Sequence, residues 1–74
     1  MKRYYFRWFD PLREKEKVSR FIADDFGEAM RFIGEDIIEF NRTYNTHIKL
    51  SDFVFLKEED EDRIWARKGV DIVW

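Results

Sequence analysis

Nucleophilic catalysis needs a nucleophile beside a base that a third group orients. The chain offers for this only Ser19 and Ser51, Thr43 and Thr46, and a single histidine, His47, at the mouth of a predicted strand. His47 reads as an ordinary strand-start residue. Paired carboxylates, the usual material of general acid–base work, occur as Asp24/Asp25 and Glu35/Asp36/Glu39, the last set placing Glu35 and Glu39 on one helix face at i, i+4. Among sixteen acids such pairs recur by chance, and they read as a helix cap and a solvated helix face. The five consecutive acids Glu58-Glu59-Asp60-Glu61-Asp62 lack the glycine and alternating ligands of a calcium loop. Three isolated glycines make no phosphate loop, and a chain without cysteine has no thiolate zinc site. No catalytic set, no metal site and no cofactor are expected; the chain reads as a binding protein rather than an enzyme.

The remaining chemistry lies in arginines set beside aromatic rings. Arg3, Tyr5, Arg7, Arg20, Arg63, Trp65 and Arg67 fall on alternate positions of predicted strands, with Val18 and Ile22 among them. Arg, Tyr and Trp are enriched where proteins meet partners. Two kinds of partner follow. A protein could dock on such a face, or single-stranded nucleic acid could stack its bases on Tyr5 and Trp65 while the arginines meet phosphates. The same residues also suit a wet sheet face with cross-strand pairs, Arg stems lying over apolar neighbours.

These residues need elements to hold them. Lys2 to Phe9 alternates as a strand, Tyr4, Phe6 and Trp8 on one face and Arg3, Tyr5 and Arg7 on the other. Asp10-Pro11 signals a turn, and a second strand over about 16–23 places Phe21 and Ala23 inward and Val18, Arg20 and Ile22 outward. At Asp24-Asp25 the period-2 pattern gives way to one of 3.6. Asp25 is the expected N-cap, with Glu28 at N3 as in a capping box. Phe26, Ala29, Met30, Ile33, Ile37 and Phe40 form one apolar stripe of a helix over about 25–42. Gly34 interrupts this helix at a cost of about 1 kcal/mol relative to Ala, whether because something packs against it or because it is tolerated. Off the stripe, Phe32 and Ile38 lean outward and offer a second contact or a homodimer seam.

The last third reads as a three-stranded antiparallel meander over about 47–74: a strand from Ile48 to Lys57 with a bulge at Ser51-Asp52, an exposed acidic turn at 58–62, then short strands Arg63–Arg67 and Val70–Trp74 joined through Lys68-Gly69. Residues 1–74 make a single domain: a hairpin about 2–23, the helix and the meander. The predicted fold class is α+β in two layers, order ββαβββ, one helix on one face of an antiparallel sheet. One helix covers one sheet face, so the opposite face is polar, covered by a partner, or used for binding.

Seventy-four residues with no cysteine depend on their core, which is rich in rings: eight Phe, three Trp and three Tyr. Net charge is −2, unevenly spread, with seven basic residues against three acids in 1–20 and two against six in 21–46. That polarity disfavours a uniformly basic nucleic-acid binder, and it suits either steering of a partner or a solvated surface bearing both signs. The RNP1 signature of RNA-recognition domains is absent. No apolar run reaches the ~20 residues of a membrane span, and no signal peptide precedes Pro11. A cytoplasmic protein with a protein partner and no membrane association is expected.

The run Phe21-x-Ala23-Asp24-Asp25-Phe26-x-Glu28-Ala29, with a hairpin before it and a Trp-containing meander after it, resembles the layout of very small proteins of phages and mobile elements, anti-CRISPR inhibitors among them. The likeness lies in layout and carries no functional motif. It implies a stoichiometric inhibitor occupying a nucleic-acid channel or subunit surface of a host defence complex. Glu58 to Asp62 would then imitate phosphates, and the arginine face would contact acidic protein surface.

Overall fold

The computed structural model describes residues 1–60 and, as backbone, 69–73. Alternation of large rings with polar residues makes β1 (Lys2–Asp10), which turns through four residues into β2 (Lys15–Ala23). Asp10 builds the turn: its Oδ1 accepts from the backbone N–H of Leu12 at 2.9 Å and of Arg13 at 3.4 Å. Helix α1 (Phe26–Tyr44) opens on Asp25, whose Oδ1 accepts from Glu28 N at 2.8 Å, while Glu28 Oε1 reaches back to Asp24 N at 2.9 Å. It ends on Asn45 in the left-handed region, φ 53°. A 3₁₀ turn (Leu50–Asp52) leads into β3 (Val54–Asp60), and β4 (Gly69–Val73) follows.

The protein is thus α+β, one helix on an antiparallel sheet, and the strand order is β3-β1-β2-β4. The hairpin lies at the centre of the sheet. β3 pairs with β1 and β4 with β2, each antiparallel, on opposite edges. The expected meander over about 47–74 is therefore corrected: β3 and β4 are separated by the hairpin, because the hairpin had two open edges and each later strand took one. The predicted strand Arg63–Arg67 lies outside the described residues, so the described order is ββαββ.

Three further expectations change. Ser51-Asp52 marks a 3₁₀ turn rather than a bulge, Asp52 Oδ2 accepting from Lys49 N at 2.9 Å. The bulge falls later, at Leu56, between the pairs Tyr5↔Lys57 and Phe6↔Phe55. Glu58, Glu59 and Asp60, expected in an exposed turn, are strand residues opposite Tyr4, Arg3 and Lys2. Basic partners make that possible: Lys2 Nζ donates to Glu58 Oε2 at 2.7 Å.

Tyr4, Phe6, Phe21, Ala23, Ala29, Ile33 and Ile37 form the core between sheet and helix. Rings continue it outward: Phe26 meets Tyr4, Phe6 and Phe55, and Trp8 stacks on Phe53 with centroids 5.4 Å apart. Phe32 does not lean outward as expected but packs against this cluster, leaving Ile38, 62% exposed, as the remainder of that seam. The stripe stops short of both, so helix periodicity alone did not separate a flank that touches the sheet from one that does not.

Candidate functional site

The register fixes which side chains share the face away from α1. Opposite one another on β1 and β2 stand Arg3 and Ile22, Tyr5 and Arg20, and Arg7 and Val18. β3 adds Glu59 beside Arg3 and Lys57 beside Tyr5. Arg3, Tyr5, Arg7 and Arg20 are therefore one contiguous block. Arg63, Trp65 and Arg67 lie outside the described residues. Helix α1 and the ring of Phe53 stacked on Trp8 both sit on the other side of the sheet.

Tyr5 is the centre of this block. The Arg20 guanidinium lies 5.8 Å and the Lys57 ammonium 4.7 Å from its ring centroid, within reach of cation–π attraction. Its hydroxyl donates to Glu59, and this bond is the chief reason the Glu59 carboxyl is held below its ordinary range; burial opposes the shift, and Lys57, Arg3 and Arg20 add to it. Lys57 Nζ stands 3.9 Å from Glu59 Oε2, and Arg7 Nε 3.8 Å from Glu16 Oε2. The Nε atoms of Arg3 and Arg20 are buried, so these two arginines do not stand free in solvent along their whole length. Ile22 shares the face by register yet is only 2% exposed. It was expected to stand outward; as a residue of a central strand between Arg3 and the β4 backbone at Gly69, it is enclosed instead.

The face thus combines four cations with two carboxylates, Glu16 and Glu59, around a half-buried ring. Sequence periodicity missed Lys57, Glu16 and Glu59 as members. Glu16 had its signal in the hairpin register, whereas the bulge at Leu56 shifts Lys57 and Glu59 onto this face, and no residue type announces it.

A second feature was not expected from the sequence. On the helix side, a groove of about 330 Å³ runs between the turn end of the hairpin and the C-terminal half of α1. Trp8, Phe21, Ile37 and Phe40 give it an apolar lining, with Arg13 and Lys17 contributed by the hairpin and Asp36 and Glu39 by the helix. Trp8 Nε1 donates to Ser19 Oγ at 2.8 Å beneath it, satisfying a buried indole. Asp10 is wholly buried there. Burial alone would raise its carboxyl, but the Arg13 side chain at 2.9 Å and the two turn amides outweigh burial and hold it below the ordinary carboxylate range. Asp36 is shifted the other way, by burial first and then by Glu35.

Fold and face define a small α+β protein with one charged sheet face left open by its helix. Compared with protein-family models, with curated proteins and with solved structures, the chain matches none. Among the described residues, no helix is long and apolar enough to cross a membrane, and no three His, Asp or Glu side chains are grouped to hold a metal ion.

Proposed function

We propose that the protein is a non-catalytic interaction module that docks on a protein partner through the sheet face opposite α1. The observation that supports this reading is the block of Arg3, Tyr5, Arg7 and Arg20, brought side by side on a face the helix leaves uncovered. Cations outnumber carboxylates on it, which suits an acidic patch on the partner. The narrower form of the reading, a stoichiometric inhibitor of a host defence complex, rests on chain layout alone.

Single-stranded nucleic acid is the competing ligand. Base stacking needs an open ring face. Arg20 and Lys57 already stand over the Tyr5 ring, and Glu59 brings a carboxylate to its hydroxyl, so the geometry favours the protein partner.

Arg7→Glu is the decisive variant. Arg7 is exposed and its pair with Glu16 is long, so reversal should leave the unfolding temperature within a degree or two while weakening partner capture by about tenfold or more. Capture from host lysate is quantified for both proteins beside binding to an oligonucleotide at low salt. Equal partner capture by the two proteins, or salt-sensitive oligonucleotide binding lost in the variant, would overturn the reading.

A further inference from the structure

We propose that the groove on the helix side is a ligand site for a monocarboxylate carried on an apolar, ring-bearing body, with the carboxylate seated on Lys17 Nζ. It is separate from the open face, on the opposite side of the sheet.

Lys17 sets the charge of the ligand. It lies opposite Trp8 in the hairpin, and its side chain is only 12% exposed. An ammonium carries three donors, and a mostly covered lysine stem can still present them at a surface. Its partner is Asp10 Oδ2 at 3.7 Å, an ion pair too long for a hydrogen bond. Asp10 has no need of it. Oδ1 accepts from two turn amides and Oδ2 from Arg13 Nη1 at 2.9 Å, so three hydrogen bonds hold the carboxylate without Lys17. One carboxylate therefore faces two cations, and the ammonium, which lines the groove, has no partner within hydrogen-bond distance among the described residues.

The rest of the groove sets the ligand's class. At about 330 Å³ it is at the lower end of the range for small-molecule sites. Trp8 and Phe40, with centroids 5.8 Å apart, both line the groove with apolar surface, which suits an aromatic or branched aliphatic body. Asp36 and Glu39 also line the groove. A second negative charge on the ligand would meet them, so the site selects a single carboxylate, held by Lys17, and rejects a dianion.

The test uses the full chain, ¹⁵N-labelled and titrated separately with 4-phenylbutyrate, 4-phenylbutylamine and inorganic phosphate. Saturable shifts of the Trp8 indole N–H and of the Lys17 and Phe40 amides are expected with 4-phenylbutyrate alone, with affinity about tenfold weaker in Lys17→Met. Three results would overturn the proposal: an equal response to the amine, the same shifts with phosphate, or no saturable shift at these positions. Unchanged affinity in a folded Lys17→Met would do so as well. Should that variant not fold, the comparison of anion with amine on the unaltered protein decides alone.

Discussion

Asn41 does more bonding than its place near a helix end suggests. Its Oδ1 accepts from Ile48 N at 3.0 Å and from Thr46 Oγ1 at 2.7 Å, while Nδ2 donates to Ile48 O at 3.0 Å. One side chain thus acts as a strand partner to Ile48 and holds the return from α1 toward β3. Asn41→Ala leaves both backbone groups of Ile48 without these partners and should cost about 1–3 kcal/mol, read from the urea midpoint. Gly34 goes the other way. A Cβ built there meets nothing within 4 Å among the described residues, so none of them explains this glycine by close packing and toleration stands. Gly34→Ala should stabilise the protein by about 0.5–1 kcal/mol, because the glycine's helical entropy cost is removed and no atom is displaced. The sequence showed that Gly34 was unfavourable; only the geometry shows that nothing depends on it.

Among the elements, the N-terminal hairpin and α1 were legible, and the final third was not. Tyr4, Phe6 and Trp8 alternate without interruption, Asp10-Pro11 closes the turn, and Asp25 with Glu28 opens the helix: each signal is local, and local physics settles it. In β3, by contrast, the pairing partner lies some fifty residues away, and a bulge at Leu56 resets the register midway. The acidic run illustrates the failure well. Three of its carboxylates enter a strand because Lys2 and Arg3 lie across from them, a fact no window along the chain contains. The turn end of the hairpin also carries a pH dependence. The Asp10 carboxyl is depressed in the folded state, so its stabilisation is fully present above the unfolded value of about 3.9 and is lost as pH falls through the folded value. Unfolding temperature should therefore drop below about pH 4, and the drop should be shallower in Asp10→Asn, which is less stable at neutral pH but no longer titrates.

For the whole molecule, half of the candidate site could be read in advance. Arg3, Tyr5, Arg7 and Arg20 share a face because β1 and β2 are neighbours in sequence and pair in register. Their consequences for one another could not be read: Arg3 and Arg20, placed outward by periodicity, have buried Nε atoms, and Tyr5 is flanked by charges from β2 and β3. The order β3-β1-β2-β4 also grades protection. Amide exchange should be slowest in the alternate amides that join β1 to β2, and faster throughout β3, whose seven side chains are all exposed. Uniform protection across the sheet would contradict this picture.

The central hairpin has a last consequence, for how the molecule comes into being. Synthesis delivers β1 and β2 before α1, and their pairing can zip outward from Asp10↔Lys15 at the turn to Lys2↔Ala23, local contacts of the kind that close quickly. What emerges is a two-stranded ribbon whose two flanks both present unpaired backbone, and two strands alone are marginal in water. The nascent chain thus depends on α1 to shelter Phe6 and Phe21 before β3 and β4 seal the flanks. Helix formation, which local capping at Asp25 makes prompt, is in this sense the protein's own chaperone.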